Sequence, residues 1–271
     1  MKMKKTLIIT SAAFFSFFSC TKIEKQISEN SVKTDSAAVS TPVFAIDSVK
    51  VTDSLKIDNK LSTMFQSKTL VFPNISNKSV LDSVYAPINI KLESYSKDQI
   101  LEALKKQKTD FFQNSTETIA EWKPDFEQTW DQISDMKLHS KMEDFMTIQY
   151  TASGYTGGAH GYYNEIYKVF DLKTNKTLQR SDILKVQHSQ IWSRILMDNF
   201  LKNDLEKEQA SMLLVKEIPL NNNFYFDKEN LYFLYNQYEI TAYAAGPVLI
   251  KIPLSEIKPF LNDEFKTRLK L

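Results

Sequence analysis

Four of the five glycines in this chain, Gly154, Gly157, Gly158 and Gly161, fall inside the single stretch Gly154–Gly161. Elsewhere the backbone almost never asks for a positive φ or for an approach that a Cβ would block. Aromatic, apolar runs flank the cluster, so Tyr150–Asp171 reads as a strand, a tight glycine loop and a second strand. Any fold must accommodate that hairpin.

The first residues address the chain to a compartment. Lys2, Lys4 and Lys5 precede Thr6–Phe18, an uncharged run too short to span a membrane but suited to the apolar core of a signal peptide. Ser19 then precedes Cys20, the single cysteine. A small residue before a lone cysteine at that place is the pattern of a bacterial lipoprotein, with residues 1–19 removed and Cys20 lipidated. Residues 20–48 are the lipidated cysteine and a flexible Lys/Ser/Thr/Glu-rich tether. With the thiol spent, no disulfide is expected.

The rest carries 42% apolar and 12% aromatic residues in the whole-chain composition, enough for a real core. Thirty-four basic against thirty-three acidic residues argue against nucleic acid or an anionic membrane surface as the main partner.

Short strands are expected at Ile46–Ile57, Leu61–Phe65 and Thr69–Phe72, and a helix interrupted at Pro87 over Ser79–Ser94. Ser96-x-x-Gln99 has capping-box form, and apolar spacing from Ile100 through Trp122 predicts a long helix that ends at Pro124. Strands follow at Met136–Ser140, Asp144–Gly154 and Tyr162–Asp171. Ser181-Asp182 caps a short helix, and His188–Glu206 reads as a second long amphipathic helix. Further strands lie at Phe224–Phe226, Leu231–Tyr235 and Val248–Ile252, and a closing helix runs from Pro253 to Leu261. The class is therefore α+β, mainly antiparallel sheets packed with two long amphipathic helices. Two closely packed subdomains are expected, 49–130 and 131–271.

Gly157-Gly158-Ala159-His160-Gly161, with Val169-Phe170-Asp171-Leu172 and Ser181-Asp182-Ile183-Leu184 after it, and Tyr238-Glu239-Ile240-Thr241-Ala242-Tyr243-Ala244-Ala245-Gly246-Pro247 further on, resemble a family of bacterial envelope domains of unknown function. That family is similar to the extracellular domain of the lysozyme-sensing anti-sigma factor (RsiV type) and to the N-terminal domain of a peptidoglycan deacetylase (PdaC type). The resemblance covers about residues 45–265. It implies an α+β fold of two subdomains, an envelope location and no established catalytic activity. No transmembrane helix with an anti-sigma segment and no deacetylase domain accompanies it, so neither that signalling nor that catalysis is expected.

His160 is the sharpest single residue, since an imidazole on a glycine loop can act as a base or ligand. The plainer reading is a tight turn whose ring packs on a tyrosine or bonds a main-chain carbonyl, and no catalytic partner declares itself. His139, His160 and His188 lack metal-ligand spacing, although His139 and His160 could meet on adjacent strands. Asp171 and Asp182 could pair, but read more simply as a turn and a cap aspartate. Tyr155, Tyr162, Tyr163 and Tyr167, with Tyr225, Tyr232, Tyr235, Tyr238 and Tyr243, could stack on sugars or anchor a protein.

The expectation is a lipid-anchored binding or accessory protein of the cell envelope, on the periplasmic face of the outer or the inner membrane. Its ligand is a cell-wall glycan or an envelope protein such as a lysozyme-like hydrolase, with no cofactor, metal or nucleic acid. The binding loop is Tyr155, Gly157, Gly158, His160, Gly161 and Tyr162 beside Tyr243 and Gly246. The alternative is an enzyme acting on wall or surface glycan through His160 and a carboxylate.

Overall fold

The structure, a computed structural model, describes residues 45–121, 124–185, 189–204 and 208–271. The signal segment, Cys20, the tether up to residue 44, and Trp122, His188, Leu205 and Glu206 of the expected helices lie outside these residues.

Among the described residues the strands form two sheets. The larger runs in chain order: β1 (Asp47–Lys56), β2 (Leu61–Val71), β3 (Gln128–Met142), β4 (Phe145–Tyr155), β5 (Tyr162–Asp171) and β6 (Lys176–Thr177). Every neighbouring pair is antiparallel except β2–β3, which is parallel. A parallel pair needs a crossover, and α1 (Lys78–Tyr85) and α2 (Lys97–Glu121) supply it. The break expected between Leu61–Phe65 and Thr69–Phe72 is absent. Gln66 and Lys68 stand on the partly exposed face of β2, while Ser67, 2% exposed, accepts a hydrogen bond from Ser134 across the sheet at 2.8 Å. Likewise β3 begins well before Met136, its first half carrying the half-buried polar residues Asp131, Gln132, Ser134 and Asp135 beside β2. The expected subdomain boundary at 130/131 lies inside this strand.

Asn77 caps α1, its Oδ1 accepting from the Val80 N–H at 3.2 Å. Pro87 then holds a single 3-10 turn, Ala86–Ile88, closed by Asn89 in the left-handed region at φ 56°. Ser96 Oγ accepts from the Gln99 N–H at 3.3 Å at the start of α2. Ile100, Leu104, Ser115 and Ile119 face inward from α2 at helical spacing. Two phenols fasten α1 to the sheet: Tyr85 donates to the Leu70 carbonyl at 2.9 Å, and Tyr150 to the Val84 carbonyl at 2.7 Å. This first core joins Phe65, Leu104, Met136, Met146 and Ile148.

The second sheet is β7 (Phe224–Phe226), β8 (Asn230–Tyr235) and β9 (Val248–Pro253), all antiparallel. Helix α4 (Ser189–Asn203) buries Trp192, Leu196 and Phe200 against it, in a core that also takes in Phe145, Tyr167 and Val169 from the larger sheet. In the short helix α3 (Arg180–Ile183), Gln179 rather than Ser181-Asp182 occupies the cap. Asp182 is its third helical residue and accepts from the Gln179 N–H at 2.7 Å. The closing helix is only α5 (Leu254–Ile257) and a 3-10 turn, and α6 (Asp263–Leu269), which local patterning did not announce, follows it.

Asparagine side chains stitch β5 to the second sheet. Asn236 accepts from the Glu165 N–H at 2.7 Å and donates to the Glu165 carbonyl at 3.0 Å. Asn223 accepts from the Tyr167 N–H at 2.7 Å and donates to the same Glu165 carbonyl at 2.7 Å. Along this stretch two amides do what a neighbouring strand would do, so the edge is satisfied without being extended.

Candidate functional site: the glycine hairpin and its facing turn

The β4–β5 connection is a rigid object. Gly157 and Gly158 both take positive φ, 94° and 92°, the conformation for which glycine is suited. Tyr155 donates to the Gly158 carbonyl at 3.1 Å and packs beside Leu61 and Trp130. Gly154 answers a different need: a Cβ there would lie 2.4 Å from the Asp131 carbonyl oxygen and 3.0 Å from the Tyr162 ring. Its absence lets Tyr162 lie against the strand.

A turn from the other sheet faces this loop. Residues Tyr243–Ala245 form a 3-10 turn closed by Gly246 at φ 66°. Gln209, 7% exposed, donates its amide to the Ala245 and Pro247 carbonyls at 2.8 and 3.2 Å. The His160 ring stacks on the Tyr243 ring at 4.0 Å, and Tyr243 donates its hydroxyl to the Gly161 carbonyl at 3.1 Å. His160 Nδ1 lies 2.7 Å from that same carbonyl. Tyr238, 59% exposed and held at φ 66°, reaches to 3.4 Å from His160 Nε2 with its hydroxyl. A bulky residue in the left-handed region is an outlier held in place by its surroundings.

His160, Gly161, Tyr243 and Gly246 therefore come together, with Tyr155, Gly157 and Gly158 shaping the loop behind them. Tyr162 points to the helix-facing side of the hairpin, where it is 48% exposed. Burial, together with the nearby Asp131 carboxylate, pushes its phenol up, and burial pushes Asp131 up as well. The partners of His160 are two tyrosines and a carbonyl, and among the described residues no carboxylate contacts it.

The other candidates go elsewhere. His139 packs edge-on against Tyr167 and Tyr225 at 4.9 and 4.5 Å. Register sets His139 beside Ile148 and the hairpin beyond Tyr155, roughly 20 Å along β4, so His139 and His160 do not meet. Among the described residues no His, Cys, Asp and Glu side chains gather as a metal site. Asp171 and Asp182 border one cleft but do not pair. Asp171 accepts from the Lys173 and Thr174 N–H groups, as a turn aspartate does, and also forms a two-pronged ion pair with Arg268. Burial pushes its carboxyl up, but the bonds from Arg268, Thr174 and Lys173 outweigh that and hold it well below the usual carboxylate range.

Residue-by-residue reading missed two partners. Tyr238 joins His160 only through the fold. Glu165 accepts from Tyr167, Gln149 and Tyr163 at 2.6, 2.6 and 2.8 Å, and burial with that last bond pushes Tyr163 up to about 12. Alternation along β5, which sets Tyr163, Glu165 and Tyr167 on one face, is the signal that could have found this cluster.

Fold and site together define an α+β domain built on two sheets, of the architecture seen in solved structures of the DUF3298 family. One such protein, from Bacteroides fragilis NCTC 9343, is 20% identical with a TM-score of 0.68, over 82% of this chain and 94% of that one. Another, from Pseudomonas aeruginosa PAO1, is 16% identical with a TM-score of 0.53, over 82% of this chain and 96% of that one. These likenesses show the fold. In sequence, residues 173–255 match the family described as "Protein of unknown function (DUF3298)". No curated protein matches the chain. Among the described residues no helix is long and apolar enough to cross a membrane.

Proposed function

We propose that this chain is a lipid-anchored binding or accessory protein of the bacterial cell envelope that recognises cell-wall glycan without transforming it. The observation that carries the reading is the His160–Tyr243 stack, which locks a glycine hairpin of one sheet to a turn of the other. A surface fixed in advance loses little freedom on binding, and exposed tyrosines are efficient contact residues. Tyr238 stands exposed on this surface at 59%, and Tyr162 on the helix-facing side of the same hairpin at 48%.

The address rests on the signal pattern ending at Cys20. The resemblance to the lysozyme-sensing anti-sigma factor and the peptidoglycan deacetylase supports an envelope setting, with a lysozyme-like protein as the rival ligand. Co-sedimentation of the full chain with purified wall sacculi tests the proposal. Wild-type protein is retained, and Tyr238→Ala or Tyr243→Ala with unchanged secondary structure lowers retention several-fold. Retention equal to that of an unrelated protein would contradict it.

A further inference from the structure

Beside the hairpin, between the helix-facing side of the sheet and α2, runs an open groove of about 540 Å³, within the usual size of ligand sites. Strand register explains its shape. Gln132, Gly154 and Tyr162 are successive cross-strand partners on β3, β4 and β5, and Ser134, Ala152 and Asn164 form the next row on the same face. The middle strand contributes only a glycine and an alanine there. Larger side chains rise on both sides, so the sheet surface dips along β4.

The chemistry of the lining is specific. Tyr162, half exposed, supplies an aromatic wall. Gln132 and Asn164 on the sheet and Asn114 on α2 present primary amides that make no hydrogen bond within the described residues, although Gln132 and Asn164 are half-buried. Each such amide carries two donors and an acceptor that stay open to the groove and can be taken up by a ligand with complementary polar groups. Among the described residues no lysine, arginine or histidine lines the groove, and its carboxylate Asp110 is tied to Lys106 at 2.6 Å. A phosphate or a polyanion would find no counter-charge. A ligand with apolar ring faces and many uncharged hydroxyl or acetamido groups matches every element.

Resting on the binding reading above, we propose that this groove holds a neutral saccharide chain. One pyranose ring lies against Tyr162, and its substituents bond to the amides of Gln132, Asn164 and Asn114. The aromatic ring gives affinity by covering the apolar face of the sugar, and the amides give orientation.

The test is equilibrium binding of a fluorescent β-1,4-linked N-acetylglucosamine hexamer to the full chain, with a purified lysozyme as a second probe. Tyr162→Ala weakens hexamer binding tenfold or more, and Asn164→Ala and Gln132→Ala several-fold each. Ala152→Leu, which fills the groove floor, also abolishes most binding, so the inference does not hang on one variant. Tyr163→Phe, on the same strand but the opposite face, leaves affinity within twofold. If the hexamer binds wild type and the groove variants equally well, the groove assignment falls while the binding reading stands. If lysozyme binds and the hexamer does not, the saccharide assignment falls and a protein ligand replaces it. If neither binds and sacculi are not retained, the binding reading itself fails.

Discussion

His160 stacks on Tyr243 with ring centroids 4.0 Å apart and planes 28° from parallel, and Tyr243 also donates its hydroxyl to the Gly161 carbonyl. Through these contacts the hairpin of the first sheet and the turn of the second become one surface. The contacts also set expectations for stability that are separate from binding.

Tyr243→Phe keeps the stack but removes the hydroxyl donor to the Gly161 carbonyl, which His160 Nδ1 still approaches, and is expected to cost about 1 kcal/mol. His160→Ala removes the stack and is expected to cost about 0.5–1.5 kcal/mol beyond the lost area. Urea unfolding of both variants checks this. A double variant no worse than either single one would show that the two contacts act as a unit.

The glycines rank by mechanism. Gly154→Ala places a Cβ 2.4 Å from a backbone carbonyl on β3, which cannot move without opening the sheet, and is expected to be the more damaging change. Gly158→Ala meets nothing within 4 Å, so its cost is that of its φ of 92°, on the order of 1–2 kcal/mol. Thermal midpoints that reverse this order would contradict the hairpin geometry.

Arg268→Ala leaves the Asp171 carboxylate buried without its cation, at a cost of about 3–5 kcal/mol near neutral pH. The native carboxyl is held below its unfolded value, so the pair's contribution is present above about pH 4 and fades as pH falls through the lowered native value. The gap between Arg268→Ala and wild type is therefore widest at pH 7 and narrows in acid. A pH series of unfolding curves measures it, and a gap that grows in acid would refute the assignment.

Asn223→Ala removes the amide that serves both the Tyr167 N–H and the Glu165 carbonyl, with an expected loss of about 1–3 kcal/mol. Hydrogen exchange at the Tyr167 amide should quicken more than at its neighbours. Unchanged exchange there would mean that β5 does not depend on this cross-link.

What could be read from residues alone follows the range of the interactions. Helix α2 and strand β5 were legible because Ile100, Leu104 and Ile119 repeat at helical spacing and the flanks of the glycine cluster are aromatic. The parallel β2–β3 pairing was not, because Leu61 meets Gln128 only after two helices. Strand β3 hid behind Asp131 and Asp135, whose polarity suits a partly exposed face. Of the site, the loop, His160 and Tyr243 were visible as motifs. Tyr238, the Asn223 and Asn236 amides and the Arg268 partner of Asp171 depend on long-range packing that no local pattern encodes.

Amide hydrogen exchange with and without soluble wall glycan tests the central claim most directly. Protection should rise at Gly157–Asn164 and at Tyr243–Gly246, and stay unchanged along the remote edge Lys50–Lys56. Protection unchanged at both the hairpin and the turn, or increased only at that remote edge, would contradict the account.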